Sequence, residues 1–355
     1  MTIIDCRGAG LERGRAHGES ARPQVRTAID HWAQATLASN PSAVSIEQYA
    51  QGMLNRTGLL NTATRLLPDL VDEVRGIADG AGLSFEVIAA YNFMDEQWWF
   101  DLPTPPPWEP GCSVLGHTTG QRTVLAQHMD LPAFMDGSQV VLRLAANNQP
   151  EALVLSAAGL IGLTGVNRAG VGVCVNTLLM LRHQPNGLPV AFALRHALAQ
   201  HTAEAADHAL NALDHASGQH YLVGDRHGLY SQECSASGCT VGPRLGAGTV
   251  RHTNHPLHSQ DINPHGLALL ESVGRVANSE TRLACLDDNR DMAAEASAVM
   301  ALLSRTDVPL AIKPGAKTRT QTFGSVVFEL ADHAQASFCL GQPGTQPWQQ
   351  VQFLS

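Results

Sequence analysis

Five prolines fall within the eleven residues 101–111 (DLPTPPPWEPG), and no regular element can pass through them. Proline lacks the amide donor that helix and sheet require and fixes φ, so this stretch reads as an extended, exposed connector. It divides the 355-residue chain into two parts of different character. The part before it reads as mostly helical. Val25, Ala28, Ile29, Trp32 and Ala35 fall at three- and four-residue steps and predict an amphipathic helix over 25–37. Ser45-Ile46-Glu47-Gln48 has the spacing of a capping box and opens a second helical stretch, which restarts at Leu67-Pro68-Asp69 and ends at Gly80-Ala81-Gly82. A third helix is expected over 84–98.

After the connector, short Val-, Leu- and Thr-rich runs separated by Gly, Asn or Pro predict strands at 122–128, 139–145, 152–156 and 171–178. Helices are expected at 190–200 and 203–213, strands at 221–223, 229–233 and 250–253, and a long helical region over 266–303. Two last strands are expected at 323–330 and 337–340. Blocks of strands and helices, with runs close enough to form hairpins, point to a layered α+β protein built on antiparallel sheets.

Composition narrows the function. Hydrophobic residues make up 44% of the chain, enough for a large core, so a disordered protein is excluded. A net charge of −9 argues against a nucleic-acid partner, and no apolar run is long enough to cross a bilayer. Without a signal-like N-terminus, the seven scattered cysteines are expected to be reduced thiols in a cytoplasmic protein. Gly8, Gly10 and Gly14 only loosely imitate a dinucleotide fingerprint, since the third glycine comes one residue late and no βαβ pattern follows. His252, His255 and His258 stand at three-residue steps and offer a metal-hydrolase alternative. Pro256 between them prevents the helix that would align them, and no acidic or cysteine ligand is spaced to join. No metal or other cofactor is therefore expected.

The sharpest chemical signal is Pro110-Gly111-Cys112-Ser113. A cysteine stands where the connector meets the first strand region, preceded by the smallest residue. It can be an ordinary buried thiol. It can also attack the Gly111 carbonyl, form a thioester that water cleaves, and become a new N-terminus carrying both nucleophile and base. Asp130, at the end of the strand expected to pair back on Cys112, could orient the freed amine. Asn176 and Asn254, each ending a short strand, could donate to an oxyanion.

Taken in order, several fragments resemble the isopenicillin N acyltransferase family of N-terminal nucleophile hydrolases and, more distantly, penicillin V acylases and bile-salt hydrolases. They are Gly10-Leu11-Glu12-Arg13-Gly14-Arg15-Ala16-His17-Gly18, Gly111-Cys112, Met129-Asp130, Gly165-Val166-Asn167-Arg168-Ala169-Gly170-Val171-Gly172, Asn176, Thr253-Asn254-His255 and Phe323-Gly324-Ser325-Val326-Val327-Phe328-Glu329-Leu330. The resemblance implies an αββα four-layer sandwich with a helical N-terminal segment. It also implies self-cleavage into residues 1–111 and 112–355, which stay packed as one composite domain.

Carried over by position, Cys112 is the nucleophile, Asp130 orients its amine, and Asn176 and Asn254 line the acyl centre and oxyanion hole. Arg282 takes the place of an active-site arginine, in competition with Arg275 and Arg319. The expected partners are a small amide or thioester substrate and the two fragments of one self-processed heterodimer, with homo-oligomers compatible. A departure stands at Tyr91-Asn92-Phe93-Met94-Asp95-Glu96, where acidic residues replace the family's usual Asn and Arg and suit a cationic amine. The competing reading is an uncleaved, non-catalytic binding protein on the same scaffold.

Overall fold

The computed structural model describes residues 1–100, 111–313 and 319–354, so most of the expected connector, 101–110, lies outside the described residues. In chain order the strands are β1 (Ile3–Gly8), β2 (Ser113–Thr118), β3 (Thr123–Pro132), β4 (Gln139–Ala146), β5 (Ala152–Ala157), β6 (Thr164–Asn167), β7 (Gly172–Thr177), β8 (Gln219–Asp225), β9 (Gly228–Ser235), β10 (Gly238–Leu245), β11 (Gly248–His252), β12 (Thr320–Leu330), β13 (Gln335–Leu340) and β14 (Gln349–Val351). They form two sheets. The first has the order β1-β4-β5-β6-β7-β8-β9-β10 and the second β11-β2-β3-β12-β13-β14.

The helices are α1 (Gly10–Ser20), α2 (Arg22–Ser39), α3 (Ile46–Arg56), α4 (Leu59–Leu66), α5 (Pro68–Ala81), α6 (Phe85–Asn92), α7 (Met94–Phe100), α8 (Val190–Leu198), α9 (Ala203–Asn211), α10 (Pro264–Ser272), α11 (Arg275–Asp288) and α12 (Ala296–Leu303). Helices α1, α8 and α9 pack on the first sheet, and α11 and α12 on the second. Strands β2 and β3 face β7 and β8 across the middle, so the layers run helix, sheet, sheet, helix. This is the αββα sandwich that the sequence implies.

Three differences from the sequence reading have physical causes. The N-terminal segment is not purely helical. Ile4 and Cys6 point inward while Ile3 faces out, and this alternation over so few residues forms β1, which pairs in parallel with β4. The expected helix at 84–98 breaks at Phe93 into α6 and α7. The thiols are not all free, because Cys234 and Cys239 stand directly opposite on β9 and β10 and are joined in a disulfide.

Gly10, Gly14 and Gly18 are one contact stripe of α1. A Cβ on Gly14 would lie 1.9 Å from the Glu73 carbonyl oxygen, and one on Gly76 would lie 2.3 Å from that of Leu11. Only glycine lets the α1 and α5 backbones approach so closely, which explains the imitation of a nucleotide motif. Buried Glu73 pairs with Arg13 and Arg195, tying α5 to α1 and α8. Among the described residues, no helix is long and apolar enough to cross a membrane.

Candidate active site

The β2–β3 hairpin creates the site. Its register pairs Ser113 with His128, which brings Gly111 and Cys112 alongside the end of β3, where Asp130 sits. Cys112 is buried, as are Ser113 and Asp130. Asp130 accepts a hydrogen bond from Thr322 Oγ1 of β12 through Oδ1 at 2.6 Å, and its other oxygen, Oδ2, is buried without a partner among the described residues. A Cβ on Gly111 would stand 2.8 Å from that Oδ2, so the oxygen lies beside Gly111, next to the peptide that joins it to Cys112. Glycine is needed here for room.

Arg282 of α11, itself buried, reaches the same peptide from the other side. Its Nη1 donates to the Cys112 carbonyl at 2.6 Å and to Ser113 Oγ at 3.1 Å, while Nη2 donates to Asn254 Oδ1 at 2.9 Å. Asn278 Oδ1 accepts from Nε at 2.9 Å. Asn254 donates through Nδ2 to the Thr177 carbonyl and through its main-chain N–H to Ser279 Oγ. One guanidinium thus fixes Cys112 and Asn254 relative to each other. Arg275 lines a smaller cavity beside Asn254, and Arg319 is held through its carbonyl by the Ala133 N–H.

Electrostatics follow from burial. The Cys112 thiol is pushed up to about 12 by desolvation and then by the Asp130 charge, against the pull of the Asp130 main chain and Arg282. Desolvation raises Asp130 to about 7, opposed by the Thr322 hydrogen bond and Arg282. The resting thiol is therefore protonated at neutral pH and lies beside a carboxyl that titrates there.

Next to Cys112 lies a partly open cavity, whose empty space counted out into solvent is about 530 Å³. Met129 and Leu131 of β3, Val175 and Thr177 of β7, and Val190, Ala191 and Leu194 of α8 line it, with Tyr91, Asn92, Met94 and Asp95 from α6 and α7. Asn176 is not brought there. Side chains alternate along a strand, so Asn176 faces away from Val175 and Thr177. Its Oδ1 meets His220 Nδ1 at 3.1 Å, and its Nδ2 is buried without a partner among the described residues. Thr177 is the β7 residue the sequence reading missed, as it missed Thr322. Nothing in composition or spacing distinguishes either from other strand threonines.

The three histidines of the metal alternative do not converge. His252 Nε2 meets Glu233 Oε1, His255 Nδ1 meets Ser279 Oγ, and His258 contributes its main-chain N–H to Glu233. Among the described residues the group with potential ligand atoms in mutual reach is His215, Cys234 and Cys239, two of which form the disulfide. The metal-hydrolase alternative at His252, His255 and His258, which the sequence offered without favouring, therefore has no shared ligand cluster among the described residues.

The site thus sets a buried thiol beside a carboxyl, with a guanidinium on the thiol residue's own carbonyl. The profile of the acyl-coenzyme A:6-aminopenicillanic acid acyl-transferase family matches residues 119–345, and the chain belongs to this family. It is 27% identical over 355 residues to the acyl-coenzyme A:6-aminopenicillanic-acid-acyltransferase 40 kDa form of Emericella nidulans, covering 97% of this chain and 93% of that one. Among solved structures it is similar to a variant of the conjugated bile acid hydrolase from Clostridium perfringens, with a TM-score of 0.44 and 11% identity over 68% of this chain and 92% of that one. Penicillin V acylase from Agrobacterium tumefaciens gives 0.38 and 14% over 65% and 82%.

Proposed function

We propose that this chain is a self-processing cysteine enzyme that hydrolyses a small N-acyl amine through an acyl-Cys112 intermediate, with transfer to a second amine as the variant reaction. The carrying observation is the buried Asp130 Oδ2, unpartnered and held against Gly111. An unpaired carboxylate oxygen in a dry site is costly. The α-amine that cleavage creates at Cys112 is the partner it lacks.

In processing, the Cys112 sulfur adds to the Gly111 carbonyl carbon, and its proton passes by way of Asp130 to the departing Cys112 nitrogen as the C–N bond breaks. Water then cleaves the thioester, releasing the Gly111 carboxylate and restoring the thiol. The N-terminal fragment stays docked, because β1 remains hydrogen-bonded in register with β4. In turnover the free α-amine takes the thiol proton and the sulfur attacks the substrate carbonyl. In this reading the oxyanion takes the second Nδ2 proton of Asn254, whose first goes to the Thr177 carbonyl. The leaving amine takes the proton, and water or another amine accepts the acyl group.

The test is denaturing electrophoresis with intact-mass measurement of the purified chain and of Cys112→Ala. Fragments corresponding to 1–111 and 112–355 in the wild type, and one full-length band in the variant, support the reading. An intact, inactive wild type makes the protein a binder on this scaffold.

A further inference from the structure

The cavity beside Cys112 carries one carboxylate that acyl transfer does not use. Its walls are largely apolar, and the amide of Asn92 is spent on the carbonyls of Ile88 and Gly159 and on the Ile161 N–H. Asp95 lines the same cavity, accepts from Thr177 Oγ1 at 3.2 Å, and is hydrogen-bonded by Gln219. Among the described residues it has no ion-pair partner. Gln219 Oε1 is also buried without a partner among the described residues.

Which carboxyl bears the charge follows from burial. Desolvation raises Glu96 to about 8 and Asp95 only to about 6, so near neutral pH Asp95 is the ionised one. Asp95 and Cys112 line the same cavity, so the carboxylate faces the space that a substrate seated on that sulfur would occupy. An isolated carboxylate in an apolar chamber selects against neutral occupants, which cannot repay its lost hydration, and favours a cation.

We propose that the substrate arm filling this cavity carries a cationic amine whose charge Asp95 receives, making the substrate class N-acyl amides with an ammonium a few bonds from the scissile carbonyl. The proposal rests on acyl chemistry at Cys112 and names the substrate class for it.

The test uses isosteric pairs on the purified protein. For the acyl arm, the p-nitrophenyl ester of trimethylammoniobutyrate is compared with its tert-butyl isostere, in which carbon replaces nitrogen. For the amine arm, N-acetyl amines ending in the same two groups are compared. Mass spectrometry reads acylation of Cys112 for the esters and released amine for the amides.

On at least one arm the cation should be favoured in kcat/KM by roughly tenfold to a hundredfold, the range of a charge-assisted contact in a dry site. That ratio should collapse toward one in Asp95→Asn, survive in Asp95→Glu, and decline in the wild type as acid protonates Asp95. The pH arm holds even if Asp95→Asn fails to fold. A ratio of one or less on both arms, or one that persists in Asp95→Asn, overturns the proposal while leaving acyl chemistry intact. Absence of any Cys112 adduct or amide turnover overturns both.

Discussion

The guanidinium of Arg282 donates to the main-chain carbonyl of Cys112 across 2.6 Å, although the two residues are 170 positions apart. The same group holds Ser113, Asn254 and Asn278, so one buried cation organises four acceptors around the candidate nucleophile.

Arg282→Lys keeps the charge but loses the planar fork, and an ammonium cannot span these acceptors at once. The variant should process and turn over roughly a hundredfold more slowly, by analogy with loss of an oriented donor. Arg282→Met should in addition melt lower, since each buried acceptor left unpaired costs about 1–3 kcal/mol. Fragment time courses and thermal unfolding of both variants check this. Full-speed processing in Arg282→Lys would remove the arginine from the mechanism.

Gly111 is a steric requirement. A methyl there would meet Asp130 Oδ2 at 2.8 Å, closer than real contacts allow, and Ile312 Cδ1 at 3.3 Å, which is tight. Gly111→Ala should push the peptide off Asp130 and slow self-cleavage by at least about tenfold, if even a small misplacement near the reacting atoms is as costly as it usually is. The measurement is the appearance of the 112–355 fragment with time. Cleavage at the wild-type rate would show that the contact plays no part in seating the scissile bond.

Much of this arrangement was legible in the sequence. Cys112, Asp130, Asn254 and Arg282 each sit at an element end or on a helix that pattern and resemblance identify, and the structure gathers them. Antiparallel sheets were readable from strand runs such as 139–145 and 152–156, short apolar stretches bounded by turn residues, while the two-sheet sandwich was what the family resemblance implied. Strands β1, β6, β10 and β14 escaped that reading, β14 being only three residues long. β6 is four residues long, and β10 is largely exposed, with no apolar face to betray it. Asn176 shows the other limit. A one-residue step along a strand reverses which side chain meets the cavity, and no spacing argument chooses between Asn176 and Thr177. The Cys234–Cys239 bridge depended on register between β9 and β10, a fact of pairing absent from either strand alone.

The two asparagines should therefore behave differently. Asn254→Ala removes an amide held by Arg282 and the Thr177 carbonyl, and kcat should fall by roughly 10²–10³ with KM little changed. Asn176→Ala removes a partner of His220 between the sheets, and its effect should appear as lower stability without a selective loss of kcat. Steady-state kinetics alongside melting curves separate them, and the reverse pattern would reassign the oxyanion donor to β7.

Processing should depend on pH through Asp130. Burial raises this carboxyl to about 7 and the Cys112 thiol to about 12, so across neutral pH the carboxyl titrates while the thiol stays protonated. Only ionised Asp130 can accept the thiol proton, so the cleavage rate should rise as pH increases through about 7 and then level. Asp130→Asn should cleave at least about a hundredfold more slowly and lose this limb, general-base assistance contributing typically 10²–10⁴. The readout is the first-order rate of fragment formation from freshly refolded precursor. A limb that survives in Asp130→Asn but disappears on replacing His128 would transfer the role to that buried histidine.

Glu96 supplies a prediction about stability. It is fully buried, accepts from the Val190 N–H at the head of α8 and from Ser217 Oγ, and is raised to about 8, first by desolvation and then by Asp95. An ordinary carboxyl in the unfolded chain releases its proton near 4.5, whereas native Glu96 keeps it until about 8. The native state therefore holds one more proton over this interval. The stability from this group is complete below about 4.5 and is lost as pH rises through about 8, at about 1.4 kcal/mol per pH unit while the difference persists. Asp95 and Asp130, raised to about 6 and 7, act in the same sense over shorter intervals. His17, His128 and His215 oppose them. Burial lowers each to about 4, so the unfolded chain binds their protons first and stability falls as pH drops from about 6.5. Above pH 7 the histidines and Asp95 have finished titrating, and the remaining slope belongs mainly to Glu96. Glu96→Gln preserves an acceptor for Val190 and Ser217 and removes the titration. In a Cys112→Ala background, where the chain stays in one piece and unfolding does not depend on concentration, the loss of melting temperature between pH 7 and 8.5 should flatten in Glu96→Gln. The decline below pH 6 should remain. An alkaline slope unchanged by the substitution would mean that Glu96 is already ionised in the folded protein, and that Asp95 is not the only charge behind the cavity wall.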